Sequence, residues 1–197
     1  FVLINADDYN IREIIPKIKR PMITFSLEGN GDYNAHNISF DKNKTSFDFF
    51  YKQEKISNIT LSIPGYHNVY NALSSIAICR ELNIPIGTIS KSLLQFKGVR
   101  RRFDIKYNKN KKIYIDDYAH HPTEVKVTIE AARMGWPDKQ IISIFQPHLF
   151  SRTKVFYKEF AKALSKSDKI ILLEIYGARE KSIDGVTSNL ILDELKN

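Results

Sequence analysis

The second half of the sequence alternates between short apolar runs and amphipathic stretches, and this alternation limits the possible folds more than any other feature. Helical periodicity falls at about 123–134 and 152–165, and it separates three strand-like runs at 113–117, 141–145 and 169–175. Strands that alternate with helices form βαβ units with right-handed crossovers and a parallel sheet. We therefore expect an α/β domain with a parallel sheet over residues 104–197.

Polar and ionisable residues follow all three of these strands. The sequence reads Asp-Asp-Tyr-Ala-His-His after the first strand, Gln-Pro-His-Leu-Phe-Ser-Arg after the second and Tyr-Gly-Ala-Arg-Glu after the third. Parallel strands bring such loops to one edge of the sheet, which is where open α/β sheets bind ligands. The sequence therefore predicts a site at the carboxyl ends of these strands.

The loop after the first strand is the most crowded with functional groups. Within six residues it contains Asp116, Asp117, Tyr118, His120 and His121. A capped turn with solvated acids is the simpler interpretation, but this concentration of titratable groups favours a site. Pro122 is expected to end the strand, and Thr123 followed by Glu124 is expected to start the next helix.

The first half of the chain, residues 1–96, is predicted to form a mixed domain of strands, an antiparallel meander and two helices. Residues 22–26 read as one short strand, and polar turns separate three alternating runs at 36–40, 46–51 and 59–63. Alternating runs joined by polar turns are typical of an antiparallel meander. A second helix over about 86–96 is expected to bury Ile86, Ile89, Leu93 and Phe96.

The first helix of this half opens near Gly65 and carries a candidate nucleotide contact. His67 and Asn71 are four residues apart, so they share one face near the helix N-terminus. Free backbone N–H groups and the positive helix dipole lie there, and the Asn amide both donates and accepts hydrogen bonds. A helix cap with a surface asparagine explains the same residues, and both interpretations stay open.

Residues 97–103 interrupt the apolar periodicity and are predicted to join two domains. A glycine is followed there by Arg100, Arg101 and Arg102. Guanidinium groups match phosphate oxygens in a bidentate manner, so these arginines suit a phosphate at a domain crevice. A solvated charge run is the alternative. The predicted organisation is thus a domain at 1–96, a joint at 97–103 and a domain at 104–197.

Composition narrows the classes of function. The net charge of +8 admits nucleic acid or phosphorylated small molecules as partners, but the lysines form no stripe interleaved with aromatic residues. No apolar run approaches the roughly 20 residues of a membrane span. The single cysteine, Cys79, excludes an internal disulfide framework and favours a reducing, cytoplasmic compartment. Because Phe1 lies inside a strand-like run, we expect a fragment of a longer protein.

Two other site chemistries fit the sequence poorly. His120, His121 and His148 with two aspartates suggest a zinc site, but adjacent histidines rarely ligate one ion and the usual ligand spacings are missing. The sequence lacks the Gly-x-Ser-x-Gly motif of a nucleophilic serine, and no histidine lies at helical spacing beside Cys79 to activate its thiol. We therefore predict no metal ligands in this chain.

The motifs of the chain resemble those of the Mur ligase family. The matching stretches lie at 5–8 (Asn-Ala-Asp-Asp), 65–72 (Gly-Tyr-His-Asn-Val-Tyr-Asn-Ala), 98–103 (Gly-Val-Arg-Arg-Arg-Phe), 116–124, 145–148 with 151–153, and 176–180. They span nearly the whole chain. The Gly-x-His-Asn piece alone is shared by several members of the family, whereas the set together is specific.

This resemblance implies an ATP-dependent enzyme that joins L-alanine to UDP-N-acetylmuramate in peptidoglycan synthesis, with ATP and Mg²⁺ as cofactors. It implies that 1–96 is the end of a central ATPase domain and 104–197 most of a C-terminal Rossmann-like domain. No Gly-x-x-x-x-Gly-Lys-Ser/Thr loop is present, so we expect the phosphate loop and the UDP-binding domain in missing N-terminal parts. We expect no nucleic-acid or membrane partner.

The resemblance also implies roles for individual residues. His67 and Asn71 would hold adenine, Arg102 with Arg101 would reach the phosphates, and Asp117 would bind ribose across the domain crevice. Tyr118, His120, His148 and Arg152 would contact the muramoyl substrate and the incoming alanine, with His120 and Arg152 closest to the reacting atoms. Leu149 departs from the family, because relatives often carry arginine at this position.

Two alternatives remain at this stage. A related ligase would attach a tripeptide rather than alanine to the same sugar nucleotide, and this would change the 146–153 stretch. A non-enzymatic module would bind nucleotide or RNA through its basic surface, with steep salt dependence and no need for ATP.

Overall fold

The structure, a computed structural model, describes residues 1–196, and the chain divides into two compact units, Phe1–Gly98 and Val99–Asn197. Each unit has its own hydrophobic core. The predicted α/β class is confirmed. The finer assignment of 97–103 as an interdomain joint stays a prediction.

The first unit is built on a five-stranded sheet in the order β1-β2-β3-β4-β5. The strands are β1 (Val2–Asn5), β2 (Met22–Ser26), β3 (Tyr33–Asp41), β4 (Lys44–Tyr51) and β5 (Glu54–Leu61). The pairs β1–β2 and β2–β3 are parallel, whereas β3, β4 and β5 form the antiparallel meander that the alternating pattern predicts. A short helix α1 (Tyr9–Ile14) and a 3₁₀ turn (Ile15–Lys17) connect β1 to β2, and the sequence pattern did not indicate either.

Two helices complete the first unit, α2 (Tyr66–Glu81) and α3 (Ile86–Gln95). Val69, Leu73 and Ile76 of α2 are fully buried in one core cluster with Phe47 and Phe49 of β4. Burying a side chain of this size stabilises the fold by about 1.5–3 kcal/mol. The apolar spacing of α2 therefore fixes the face that it turns to the sheet.

One burial prediction for α3 is wrong. Ile89 is buried, and Ile86 and Leu93 pack against the core as half-buried residues, but Phe96 is 47% exposed. The helix ends at Gln95, and Phe96 adopts an extended conformation as the C-cap. Its side chain therefore leaves the helical face on which the periodicity would have placed it.

The described part of the second unit, residues 99–196, contains two small sheets and three helices. Strands β6 (Asp104–Lys109) and β7 (Lys112–Asp116) form a hairpin, and β8 (Ile142–Phe145) pairs in parallel with β9 (Lys169–Leu172). The helices are α4 (Pro122–Gly135), α5 (Phe150–Leu164) and α6 (Asn189–Lys196). Helix α5 packs between α4 and α6, and Ile129, Phe160, Leu164 and Ile191 share one core cluster.

The pairing of β7 differs in one detail from the expected row of three parallel strands. In the described residues its hydrogen-bonded partner is β6, in antiparallel register, while β8 pairs with β9. A cleft of about 900 Å³, lined by β7, α4, β8 and Trp136, lies where β7 and β8 would otherwise meet. The two-residue turn at Asn110 and Lys111, with φ of 52° and 60°, favours the hairpin, because positive φ at both positions matches the twist of antiparallel strands.

Within residues 1–196, no helix is long and apolar enough to cross a membrane.

Candidate functional site

The loops after β7, β8 and β9 lie together at one end of the second unit. His148 and Tyr176 form an isolated parallel bridge, and the N–H of Leu149 donates to the carbonyl of Tyr176 at 2.9 Å. The rings of His120 and His148 lie 6.5 Å apart, and Arg152 Nη1 approaches the His120 carbonyl at 3.4 Å. The structure thus brings together His120, His148 and Arg152, which the sequence places in two separate loops.

The start of α4 fixes the position of His120. His121 is the N-cap, and its Nδ1 accepts a hydrogen bond from the Thr123 N–H at 3.3 Å. Glu124 completes a capping box by accepting the N–H of His121 at 3.2 Å and that of His120 at 2.9 Å. The helix therefore begins at Pro122 with a histidine cap, one residue earlier than the start expected at Thr123.

The Glu124 carboxylate is held in its charged form. Burial on its own acts to raise its pKa, but the His120 N–H and the Arg102 guanidinium outweigh burial and lower the pKa below its usual value. Arg102 Nη1 lies 3.1 Å from Glu124 Oε1, and His120 Nδ1 lies 3.3 Å from Oε2. Glu124 therefore carries negative charge at neutral pH between a guanidinium and an imidazole.

Arg101 and Arg102 each contact a carboxylate and the ring of Tyr118. The Arg101 guanidinium lies 4.8 Å from the centre of the Tyr118 ring, and its Nε lies 3.7 Å from an Asp116 oxygen. Arg102 pairs with Glu124 and lies 6.0 Å from the same Tyr118 ring. Carboxylates and an aromatic face thus offset the charge of these two adjacent arginines.

Asp117 holds the backbone on both sides of it. Its Oδ2 accepts the N–H of Phe103 at 2.8 Å, and its Oδ1 accepts the N–H of Ala119 at 2.7 Å. Each carboxylate oxygen can accept a second hydrogen bond, so these contacts leave capacity for a hydroxyl donor. The role of Asp117 in ribose binding stays a prediction beside this structural role.

The loop before α5 is held by its own unusual backbone and by the loop after β9. Leu149 has a φ of 73°, in the region that favours glycine, and its carbonyl accepts from the N–H and the hydroxyl of Thr153. Glu180 accepts from the N–H of Ser151 at 2.9 Å and from its hydroxyl, and these hydrogen bonds lower the pKa of the Glu180 carboxyl. Hydrogen bonds to the Leu149 carbonyl and to the Glu180 carboxylate therefore hold the first turn of α5, which carries Arg152.

His148 has an unsatisfied atom. Its Nδ1 is buried and lacks a hydrogen-bond partner among the described residues. Its ring contacts Tyr176 at 5.6 Å between centroids. A buried ring nitrogen without a partner is costly, so it favours a ligand group or a water at this position.

The candidate adenine contacts lie in the first unit. Asn71 is exposed on α2, His67 is half-buried, and Gly65 caps the helix with a φ of 105°. Tyr70 of the same helix donates its hydroxyl to Asp7, which also accepts from the Ser26 hydroxyl and the Leu27 N–H. This network attaches α2 to the ends of β1 and β2.

Sequence reasoning missed the residues that hold the predicted ones in place. Glu124 binds Arg102 and the His120 backbone, Glu180 binds Ser151, and Asp7 binds Tyr70. A signal existed only for Glu124, because an N-cap residue followed three positions later by glutamate is the capping-box pattern. Asp7 and Glu180 act over long sequence separations that no local pattern reveals.

A magnesium site does not emerge from these residues. Across 1–196, no group of three or more His, Cys, Asp or Glu side chains is arranged to hold a metal ion.

Comparison with known families assigns this architecture. The Mur ligase middle domain matches residues 1–79, and the glutamate ligase domain of Mur ligases matches residues 101–197. The chain belongs to the Mur ligase family.

Curated relatives of the chain include several UDP-N-acetylmuramate–L-alanine ligases. The UDP-N-acetylmuramate–L-alanine ligase of Endomicrobium trichonymphae is 44% identical over 193 residues, which cover 98% of this chain and 43% of that protein. The ligase of the same name from Sulfurihydrogenibium sp. (strain YO3AOP1) is 43% identical, over 98% of this chain and 41% of that protein. The chain thus spans less than half the length of the curated relatives that it matches.

Solved structures show the same similarity. The UDP-N-acetylmuramate-alanine ligase MurC from Thermotoga maritima superposes with a TM-score of 0.80 at 28% identity, over 100% of this chain and 40% of that chain. MurF ligase from Thermotoga maritima in complex with ADP has a TM-score of 0.67 at 20% identity, over 98% of this chain and 52% of that one, and it shares the fold.

Proposed function

We propose that this chain supplies two domains of an ATP-dependent ligase that joins L-alanine to UDP-N-acetylmuramate. The observation that carries the proposal is the meeting of His120, His148 and Arg152 at the carboxyl ends of β7 and β8. The identity of about 40% to ligases of that name supports the choice of substrates.

The reaction class is amide formation through an acyl phosphate. ATP transfers its terminal phosphoryl group to the muramoyl carboxylate, and ADP leaves. The alanine amine then attacks the acyl carbon, the C–N bond forms, and inorganic phosphate leaves while the amine loses a proton. Such steps depend on positioning and on neutralising negative charge.

The residues of the second unit suit the charged parts of this reaction. Arg152 and His148 would receive the carboxylate of alanine or the acyl phosphate, because a guanidinium and an imidazole both donate to oxyanions. Tyr118 and His120 would line the same position, since their rings lie 5.3 Å apart. The unpartnered Nδ1 of His148 gives this site one unsatisfied group for a substrate to meet.

The nucleotide contacts are proposed for both units. His67 and Asn71 of the first unit would bind adenine, while Arg101, Arg102 and Asp117 of the second would meet the phosphates and ribose. Arg102 would keep its Nη1 contact with Glu124 and offer its other N–H groups to the phosphate. Mg²⁺ would accompany ATP and neutralise charge on its phosphates.

The location that fits this proposal is the cytoplasm, where ATP is available and where a single unpaired cysteine is stable.

The test uses the full-length enzyme that contains these residues. We expect phosphate release that requires ATP, Mg²⁺, UDP-N-acetylmuramate and L-alanine together, with a product whose mass equals the sugar nucleotide plus one alanyl residue. In a matched assay a tripeptide replaces L-alanine, and we expect no ligated product from it. Ligation of the tripeptide in preference to alanine would assign the site to the related peptide ligase instead.

A further inference from the structure

One carboxylate connects two groups for which the proposed function gives different tasks. Glu124 Oε1 contacts Arg102 Nη1 at 3.1 Å. Glu124 Oε2 accepts the N–H of His120 at 2.9 Å and lies 3.3 Å from the His120 ring nitrogen Nδ1. Arg102 is a proposed phosphate contact and His120 a proposed substrate contact, so Glu124 lies between the two reactants' binding groups.

Helix capping explains only part of this arrangement. A capping box requires the side chain at the third helical position to accept the N–H of the N-cap residue, here His121 at 3.2 Å. The contact of Glu124 with Arg102 and its hydrogen bond from the His120 N–H are additional, whereas the His120 ring nitrogen Nδ1 lies nearer to the Tyr118 carbonyl, at 2.9 Å. Glutamine also serves in a capping box, but it carries no charge for Arg102. The two roles of Glu124 are therefore separable by substitution.

The side chain of Arg102 has few contacts that would hold it in one conformation, so its ion pair with Glu124 matters. Its side chain is 47% exposed, and the described contacts that direct it are Glu124 and the face of Tyr118. A long, half-exposed arginine populates many rotamers unless an ion pair selects one, and an error of about 1 Å in a binding group costs a large factor in rate.

We propose that Glu124 is a positioning residue that sets Arg102 and His120 in a fixed relation, so that one carboxylate aligns the phosphate contact with the substrate contact. This inference rests on the proposed function. Glu124 touches neither reactant and acts through the two residues that do.

The experiment compares three variants of the full-length enzyme. Glu124→Gln keeps the cap and removes the charge, and Glu124→Ala removes both. Glu130→Gln is the control, because Glu130 lies on the same helix and pairs with Lys166, which follows the end of α5. We expect Glu124→Gln to lower kcat/KM for ATP about tenfold, with a fall in kcat, while Glu130→Gln stays near the parent.

Thermal unfolding distinguishes positioning from capping. We expect Glu124→Gln to melt within about 2 °C of the parent and Glu124→Ala to melt at least about 4 °C lower in the transition of this unit, because only the alanine variant loses the helix cap. If Glu124→Gln matches the parent in kcat/KM, or if it lowers KM for ATP, Glu124 is only a cap or a competitor for Arg102, and the proposal is wrong.

A double-mutant cycle tests whether Glu124 acts through Arg102. If it does, Arg102→Ala costs about tenfold less in the Glu124→Gln background than in the parent, because the contact is already misaligned. Additive effects would overturn the proposal. A parent enzyme that does not ligate alanine would instead contradict the proposed function itself, which keeps the two failures distinct.

Discussion

Asn71 is exposed on α2, and the hydrogen bonds described for it involve its main-chain oxygen. That oxygen accepts from Ser74 at 2.8 Å and from Ser75 at 2.9 Å, so the helix does not depend on the side-chain amide. We expect Asn71→Ala in the full-length enzyme to raise KM for ATP more than it lowers kcat, because a base contact is made in both the ground and the transition state.

The expected cost of Asn71→Ala is about 1–3 kcal/mol in ATP binding, the penalty for leaving a base edge without its partner. Initial rates over a range of ATP concentrations measure it. Ser75→Ala is the control on the same helix. An unchanged KM for ATP would leave Asn71 as an ordinary surface residue.

Asp7 collects three donors from distant parts of the first unit, and this predicts a graded response to substitution. The donors are the Ser26 hydroxyl at 2.6 Å, the Leu27 N–H at 2.7 Å and the Tyr70 hydroxyl at 2.9 Å. Tyr70→Phe removes one donor and should cost about 1 kcal/mol, whereas Asp7→Ala strands all three and should cost about 2–3 kcal/mol. The urea dependence of hydrogen-exchange protection at the amides of β1 and β2 measures the loss of stability in each variant. Equal losses for the two variants would contradict the network.

At this scale the sequence predicted residue types but not partners. That His120, His148 and Arg152 fall near one another follows from the strand–helix alternation. The hydrogen bond that Asp117 accepts from the Phe103 N–H does not follow from that alternation. Arg101 and Phe103 adopt φ values of 58° and 49° in the connecting turn. Residues other than glycine seldom enter this region, so no local propensity predicts the loop path that joins those groups.

At the scale of elements, apolar periodicity predicted well wherever one face of an element is buried. Helix α2 and the meander β3–β5 carry that signal, and both form as expected. Strand β6 reads Asp-Ile-Lys-Tyr-Asn-Lys and is mostly exposed, so it has little such signal. The partner of β7 consequently could not be predicted, because pairing depends on a strand that is nearly invisible in the sequence.

The meander contains a carboxylate that should make its stability depend on acid. Asp48 of β4 accepts from Asn37 of β3 and from Lys55 and Asn58 of β5, and these hydrogen bonds lower its pKa from 3.8 to about 2. Because the folded pKa lies below the unfolded one, the stabilisation is complete above about pH 4. It is lost as the pH falls from about 4 to about 2.

We therefore expect Asp48→Asn to reduce stability at pH 6 and to flatten the loss of stability between pH 4 and pH 2. The urea midpoint for hydrogen-exchange protection of β4 peptides, measured at pH 2, 3, 4 and 6, gives the comparison. Asp41→Asn, an exposed aspartate of the same meander, is the control. If the parent and Asp48→Asn lose stability in parallel across this range, Asp48 does not contribute as described.

At the scale of the whole molecule, the two units have separate cores, and a single tryptophan reports on one of them. Trp136 lies in the second unit, where its ring stacks on Phe103 with 6.4 Å between centroids. Ile76 is fully buried in the core of the first unit, and Leu164 is 1% exposed in the core of the second. Equivalent truncations can therefore be made in either core and followed by one intrinsic probe.

We expect Ile76→Ala to destabilise the first unit by about 2–5 kcal/mol, because it removes buried methyl groups and leaves a cavity. Protection of α2 and β4 against hydrogen exchange should then be lost at lower urea, while the fluorescence midpoint of Trp136 stays at the parent value. Leu164→Ala should do the reverse. If either substitution moves both transitions equally, the two units unfold as one cooperative body, and their separate cores do not make them independent in stability.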